Sequence, residues 1–334
     1  MRGLRTTTWI GLSGAAILHA GLAGAQPRPQ FLLEYHYLRD SQLKAAIPGL
    51  PNSGDVKFAV STVDFAAALP FLVAGAEGDV VQRMFRADFL VDSKQLEETI
   101  FTMEEEDFVA LGARLEFVQR LSSRWHWTGF GGLELAVDDL GQAQPEDLTY
   151  QGGMLFVQRT YPELEWGVGA MFSQITGSDF VLPLVHLDWR PAAERVRVRL
   201  VVPPDLRASR ASVSYSMLEG QFTAGVVGEF AGDEYHFTST EQDLLDAQGN
   251  VVAADVSTAL AFAEVIVGPE FVVRTGSGLE LGFLVGASTG RRFEFRAPDE
   301  DATLRIPGES GSFPEADFEL QSIFTLKLTA AYGF

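Results

Sequence analysis

Three arginines, Arg195, Arg197 and Arg199, recur at every second position, the spacing that places side chains on one face of a β-strand. With Arg210 they would form a basic ladder, opposed on neighbouring strands by an acidic one from Glu116, Glu134, Glu165, Asp188 and Glu219. Arg114, His186, Glu280 and Lys327 fall on the polar parity of their own segments. Opposed ladders inside a pore set up a transverse field that sorts polar solutes by charge and dipole. The same rows can instead pair with one another and fill a narrow interior.

Other chemistries find less support. His186 and Asp188 share a strand face and could act as a base and its orienting carboxylate, which keeps a membrane-embedded lipid hydrolase among the alternatives. No G-x-S-x-G, H-E-x-x-H or phosphate-loop pattern occurs, however, so the expectation is a protein that is not an enzyme and needs no cofactor. The absence of cysteine removes thiolate metal sites and a disulfide framework. Glu104-Glu105-Glu106-Asp107, Asp138-Asp139 and Asp299-Glu300-Asp301 could recruit hard cations that bridge to lipopolysaccharide phosphates, but runs of this kind are ordinarily solvated loop surface and show no EF-hand spacing.

The elements that must carry these residues alternate in hydrophobicity. Val109, Leu111, Ala113, Leu115 and Phe117 oppose Gly112, Arg114 and Glu116, and Leu164, Trp166, Val168, Ala170 and Phe172 oppose Glu165, Gly167, Gly169 and Ser173. Leu279, Leu281, Phe283 and Val285 repeat the pattern, and one long strand is expected from Phe318 to Phe334. Such segments run about ten residues or longer, the length a tilted strand needs to cross a bilayer. Tight turns are expected at Ser122-Ser123, Tyr161-Pro162, Pro191-Ala192-Ala193, Met217-Leu218 and Gly276-Ser277-Gly278. Longer connections are expected over Asp40 to Asp55, Asp92 to Glu106, Asp138 to Asp147, Leu244 to Asp255 and Arg296 to Asp317. Short turns on one rim and long loops on the other describe an all-β, closed antiparallel transmembrane barrel. Counting segments predicts fourteen strands, or twelve if the parity slip near Gly232 is a break rather than a bulge.

Composition agrees. The chain has 334 residues, 46% of them hydrophobic, with 25 Lys+Arg against 45 Asp+Glu for a formal charge of −20. So acidic a surface repels nucleic acid. Residues 1–25 carry Arg2 and Arg5, an apolar run from Trp9 to Leu22 and Ala23-Gly24-Ala25, which reads as an export signal ahead of a barrel domain over 26–334. A first strand so soon after that signal leaves no room for a plug domain. A soluble sandwich or lipocalin-like barrel would show the same alternation with inside and outside exchanged. Arg195, Arg197 and Arg199 argue against it, because three charges on one strand do not fit a dry core.

The ending Phe324-x-Leu326-x-Leu328-x-Ala330-x-Tyr332-x-Phe334 resembles the C-terminal signal read by the barrel-assembly machinery of Gram-negative bacteria, with Tyr332 and Phe334 as its aromatic positions. The stretches Gly167-Val168-Gly169, Leu182-Pro183-Leu184, Asp188-Trp189-Arg190-Pro191 and Val202-Pro203-Pro204 resemble a family of outer-membrane barrels known only as a domain of unknown function. The resemblance implies a barrel in an outer membrane, in contact with its lipid and lipopolysaccharide, and implies no activity. Passage of small polar solutes through a charged lumen is the leading expectation. A non-conducting barrel that binds partners through acidic loops is the alternative.

Overall fold

A computed structural model describes residues 29–41, 58–74, 83–98, 107–175, 178–191, 195–202, 208–236, 244–245, 251–253, 259–296, 304–305, 312–313 and 315–333. Residues 1–25, Glu104, Glu105, Glu106, Asp299, Glu300, Asp301 and Phe334 lie outside the described residues. The expectations placed on them therefore stand as the sequence left them.

Strands β1 (Gln30–Ser41), β2 (Phe58–Ala74), β3 (Arg83–Glu98), β4 (Asp107–Arg120), β5 (Trp125–Val137) and β6 (Leu148–Tyr161) follow one another, each antiparallel to the next. β7 (Leu164–Ile175), β8 (Ser178–Trp189), β9 (Val196–Val202), β10 (Ala208–Met217) and β11 (Phe222–His236) continue the meander. β12 (Leu244–Leu245) and β13 (Val251–Ala253) pair as a separate ribbon. β14 (Ala259–Arg274) and β15 (Leu279–Arg296) resume the wall, and β16 (Leu304–Arg305) and β17 (Ser312–Phe313) form a second ribbon. β18 (Glu315–Glu319) pairs with the far part of β15, and β19 (Ile323–Gly333) pairs with both β15 and β1. β1 to β11, β14, β15 and β19 thus make a closed antiparallel ring of 14 strands. Closure leaves no edge, so every wall strand has a backbone partner on both sides, the condition hydrocarbon imposes.

The twelve-strand alternative is excluded. β11 pairs with β14 without a register shift from Phe222↔Val273 to His236↔Ala259, straight through Gly232. The irregularities sit beside it. The β14–β15 register shifts between Ala263 and Val265, Gly290 takes φ +61, and β18 is separated from β19 at Gln321 and Ser322, where the Leu320 N–H reaches the Arg291 carbonyl at 3.0 Å. The stretch from Phe318 onward is therefore two strands, not one, because the ladder is broken where β15 bulges.

Alternation sorts the side chains as expected. On β4, Leu111 and Leu115 are exposed outward while Phe108, Ala110, Arg114, Glu116 and Val118 are buried inward. Leu33, Phe65, Phe89, Leu133, Val168, Val213, Phe283 and Leu328 are likewise exposed on the outer face. A closed wall with an apolar exterior is stable in lipid, and the fold is that of a transmembrane β-barrel. The soluble alternative, which needs those side chains inside, is ruled out.

Short turns join β4 to β5, β6 to β7, β10 to β11 and β14 to β15 on one rim, and Ala192 and Ala193 of the turn expected between β8 and β9 lie outside the described residues. Aromatic residues gather on the outer face near it. Phe85 meets Phe117 at a tilt with 4.6 Å between ring centres, Phe117 meets Trp127 at 5.2 Å, and Trp125 meets Trp166 at 6.4 Å. The Trp166 indole N–H donates to the Thr160 hydroxyl at 3.0 Å. Rings with an apolar body and a polar tip belong at the lipid–water interface. The opposite rim departs from expectation in two places: only residues 176–177 separate β7 from β8, and only 203–207 separate β9 from β10. Asp92, expected in a loop, is a fully buried inward residue of β3, which continues to Glu98.

Candidate functional site

The inward parity builds three linked groups of charge. On β3 and β4, Arg86 stands opposite Glu116 and Asp88 opposite Arg114 in the ladder. Directly opposed side chains on one face lie close together, so the four form a checkerboard. Arg86 donates to Glu116 Oε2 at 2.7 Å and pairs with Asp88 at 2.7 Å, and Arg114 donates to Asp88 Oδ2 at 2.7 Å. All four side chains are buried.

The second group spans β6 to β9. Arg159 donates to Glu165 at 3.2 Å, and His186 Nε2 lies 3.4 Å from the other Glu165 oxygen. His186 and Asp188 do share an inward face, but Asp188 does not orient the imidazole. It is gripped by Arg197 through Nε at 3.0 Å and Nη2 at 2.5 Å, and by Arg190 at 3.4 and 3.2 Å. The base-and-orienter pairing drawn from the sequence is replaced by a carboxylate held between two guanidiniums and a histidine facing a different acid.

The third group crosses the interior. Lys327 on β19 donates to Glu229 on β11 at 2.5 Å, with β14 and β15 between those strands, and pairs with Glu34 on β1 at 2.7 Å. Arg210 on β10 donates to Glu270 on β14 at 2.5 Å and lies 3.7 Å from Glu229. His36 on β1 accepts or donates a 2.7 Å hydrogen bond with the Thr325 hydroxyl and lies 3.7 Å from Glu264 on β14.

At the rim opposite the short turns the wall itself closes in. The far end of β11 pairs with the far end of β5, strands not adjacent in the ring: His236 is bridged to Val137, and the Asp138 N–H donates to the His236 carbonyl at 3.2 Å. Tyr235 is fully buried inside, its hydroxyl donating to Asp92 at 2.9 Å, its ring 5.1 Å from Phe108 and 4.9 Å from the Lys94 ammonium. The His236 ring meets Asp147 at 3.3 Å. That hydrogen bond, helped by one from the Gln144 N–H, holds the Asp147 carboxyl below its ordinary range despite partial burial.

Of the residues expected to line a pore, Arg114, Glu116, Glu165, His186, Asp188, Arg197, Arg199, Arg210 and Lys327 are on the inner parity and in these groups or beside them. Glu134 is inward and buried on β5. Glu280 stands at the short-turn rim, paired with Arg274 across its hairpin at 2.6 Å. Two expectations fail. Arg195 is exposed in the turn before β9, and Glu219 is exposed in the 3₁₀ turn Leu218–Gly220 with φ +57, a left-handed conformation that takes it off the strand. Alternation alone does not mark where a strand stops. The reading also missed Arg86, Asp88, Asp92, Lys94, Glu34, His36, Glu229, Glu264 and Glu270, although Met84-Arg86-Asp88-Leu90-Asp92-Lys94 alternates with Phe85, Ala87, Phe89 and Val91 and could have been found.

The interior is not uniformly polar. Phe130, Met171 and Leu184 are buried together with Leu155 and Leu182 against them, and Val227, Ile266 and Leu284 form another cluster. Among the described residues no group of acids and histidines is arranged to hold a metal. At the expected acidic turn, Asp138 and Asp139 accept backbone N–H groups at 2.9 and 2.7 Å, so each has one carboxylate oxygen committed to shaping the turn.

An outer membrane channel from Pseudomonas putida F1 superposes with a TM-score of 0.43 and 9% identity over 92% of this chain and 95% of that one. The Pseudomonas putida toluene transporter TodX gives 0.34 and 10% over 99% and 95%. A KdgM porin in complex with disordered oligogalacturonate gives 0.34 and 7% over 91% and 99%. No curated protein matches the sequence. A family described as a domain of unknown function does match, over residues 85–298, and the chain belongs to that family, DUF6268.

Proposed function

We propose that the protein is a passive pore for small polar solutes, with its diffusion path along the β9–β10 side of the lumen. The observation that carries this reading is a contrast in exposure. On β3 and β4 the inward charged side chains are buried against one another, whereas on β9 and β10 Arg197, Arg199, Val201, Arg210, Ser212, Ser214 and Ser216 all keep part of their surface open. A strip of half-exposed arginine and serine side chains is wetted, and solute selection there follows from width, charge and hydrogen bonding. The short-turn rim would face the periplasm and the opposite rim the exterior. Lipid and lipopolysaccharide would surround the wall, and the last strand, with Tyr332 outward, would be the part read during assembly. Catalysis plays no part in this reading. Liposome swelling or planar-bilayer recording tests it: discrete conductance from folded protein supports it, and a folded protein that never conducts rejects it.

A second reading rests on a different observation. The Lys327–Glu229 and Tyr235–Asp92 contacts cross the interior, as they would in a closed structural barrel that works through its loops. Binding of an envelope partner that is lost on loop deletion, with folding retained, would favour it.

A further inference from the structure

Arg199 is directly opposite Asp188 in the β8–β9 ladder, and the ordinary outcome of that placement is a cross-strand ion pair. The pair does not form. Both oxygens of Asp188 are taken by Arg197 and Arg190, and Arg210, the next basic residue on the β10 side, is committed to Glu270 and Glu229. Arg199 Nε and Nη2 are shielded from solvent and have no hydrogen-bond acceptor among the described residues. A guanidinium keeps its charge throughout the physiological pH range, and leaving its donors unmatched away from bulk water is costly.

Those two nitrogens form the edge with which Arg197 grips Asp188, the fork that matches a carboxylate or phosphate in bidentate fashion. Ser212 stands directly opposite Arg199 on β10, and Ser214 one inward position along. Both side chains are half-exposed. A guanidinium edge without an acceptor and two half-exposed serine side chains therefore share one face of the lumen wall. We propose that Arg199, with Ser212 and Ser214, is an oxyanion site, taking the carboxylate or phosphate group of a small solute. This rests on the pore reading for its role in passage and stands apart from it as a binding site.

The test uses the full barrel reconstituted in planar bilayers, with reversal potentials measured under gradients of potassium acetate, potassium phosphate and potassium chloride. Arg199→Gln should reduce the permeability of acetate or phosphate relative to potassium by about tenfold, equivalent to about 1.4 kcal/mol. Ser212→Ala should act in the same direction and less strongly, and chloride should change less than the oxyanions. Which oxyanion responds more distinguishes a carboxylate from a phosphate site. A conducting Arg199→Gln barrel with unchanged oxyanion permeability overturns the site while leaving the pore intact, and so does an equal loss for chloride, since that reports charge alone. If the protein does not conduct, the pore reading fails and calorimetric titration of the same folded protein with acetate or inorganic phosphate decides the site. Saturable binding that Arg199→Gln abolishes supports it, and no binding overturns it.

Discussion

The Tyr235 hydroxyl donates to Asp92 at 2.9 Å although the two residues belong to β11 and β3, on opposite sides of the ring. The far end of β11 also bridges β5 at His236 and Val137. The wall beside it is irregular near that level, where the β14–β15 register shifts between Ala263 and Val265, Gly290 takes φ +61 and the Leu320 N–H reaches the Arg291 carbonyl. Tyr235→Phe removes one hydrogen bond and keeps the ring on Phe108, so it should cost about 1 kcal/mol of stability. It should also raise open-state conductance, read by single-channel recording against the parent protein.

The β3–β4 checkerboard should behave as a buried ion-pair network. Glu116→Ala leaves Arg86 and Arg114 facing each other with one fewer acid, and removing one partner of a buried pair costs about 3–5 kcal/mol. Replacing Arg86 and Glu116 together by apolar residues of similar volume should recover most of that loss. Urea-driven unfolding in lipid vesicles measures both.

Acid should loosen the β11–β5 rim before the rest of the wall. The Asp147 carboxyl is held low by its hydrogen bond from His236, so its contribution is complete above the unfolded value, near pH 4. It is lost as pH falls further, through the lower folded value. Amide exchange near His236 should therefore quicken below about pH 4, and Asp147→Asn should quicken it already at pH 7.

Two glycines should respond differently to added bulk. A Cβ on Gly153 would meet the Phe130 ring and the Ala170 carbonyl, each at 2.7 Å, whereas one on Gly228 meets nothing within 4 Å. Gly153→Ala should destabilise by about 1–3 kcal/mol through overpacking, and Gly228→Ala should be neutral or stabilising. Folding yield in vesicles, read by heat-modifiable migration, separates them.

Much of the wall was legible because lipid and water impose a two-residue period on every crossing strand. The alternation of Leu111 to Phe117 and of Leu164 to Phe172, and the Ser122 and Gly276 turns, placed strands and one rim correctly. Strand ends were not legible. Arg195 continues the alternating run of Arg197 and Arg199 in sequence but sits in the turn before β9, and Glu219 follows the Met217-Leu218 turn, outside the sheet. Pairing was hidden for a different reason: the partner of Lys327 is Glu229, and that of Tyr235 is Asp92, contacts made across the interior by residues far apart in the chain. The vacancy of Arg199 depends on Asp188 being taken by its neighbours, a competition no spacing reveals.

On the pore reading, water rather than protein or lipid fills the lumen beside β9 and β10. The chain contains no cysteine, so Ser212→Cys and Val213→Cys each introduce one thiol, on inner and outer parity respectively. The decisive measurement is bilayer conductance before and after a membrane-impermeant thiosulfonate reagent. Stepwise block of Ser212→Cys with Val213→Cys unaffected is the predicted result. Conductance that is absent from folded protein, or blocked only through Val213→Cys, would contradict it.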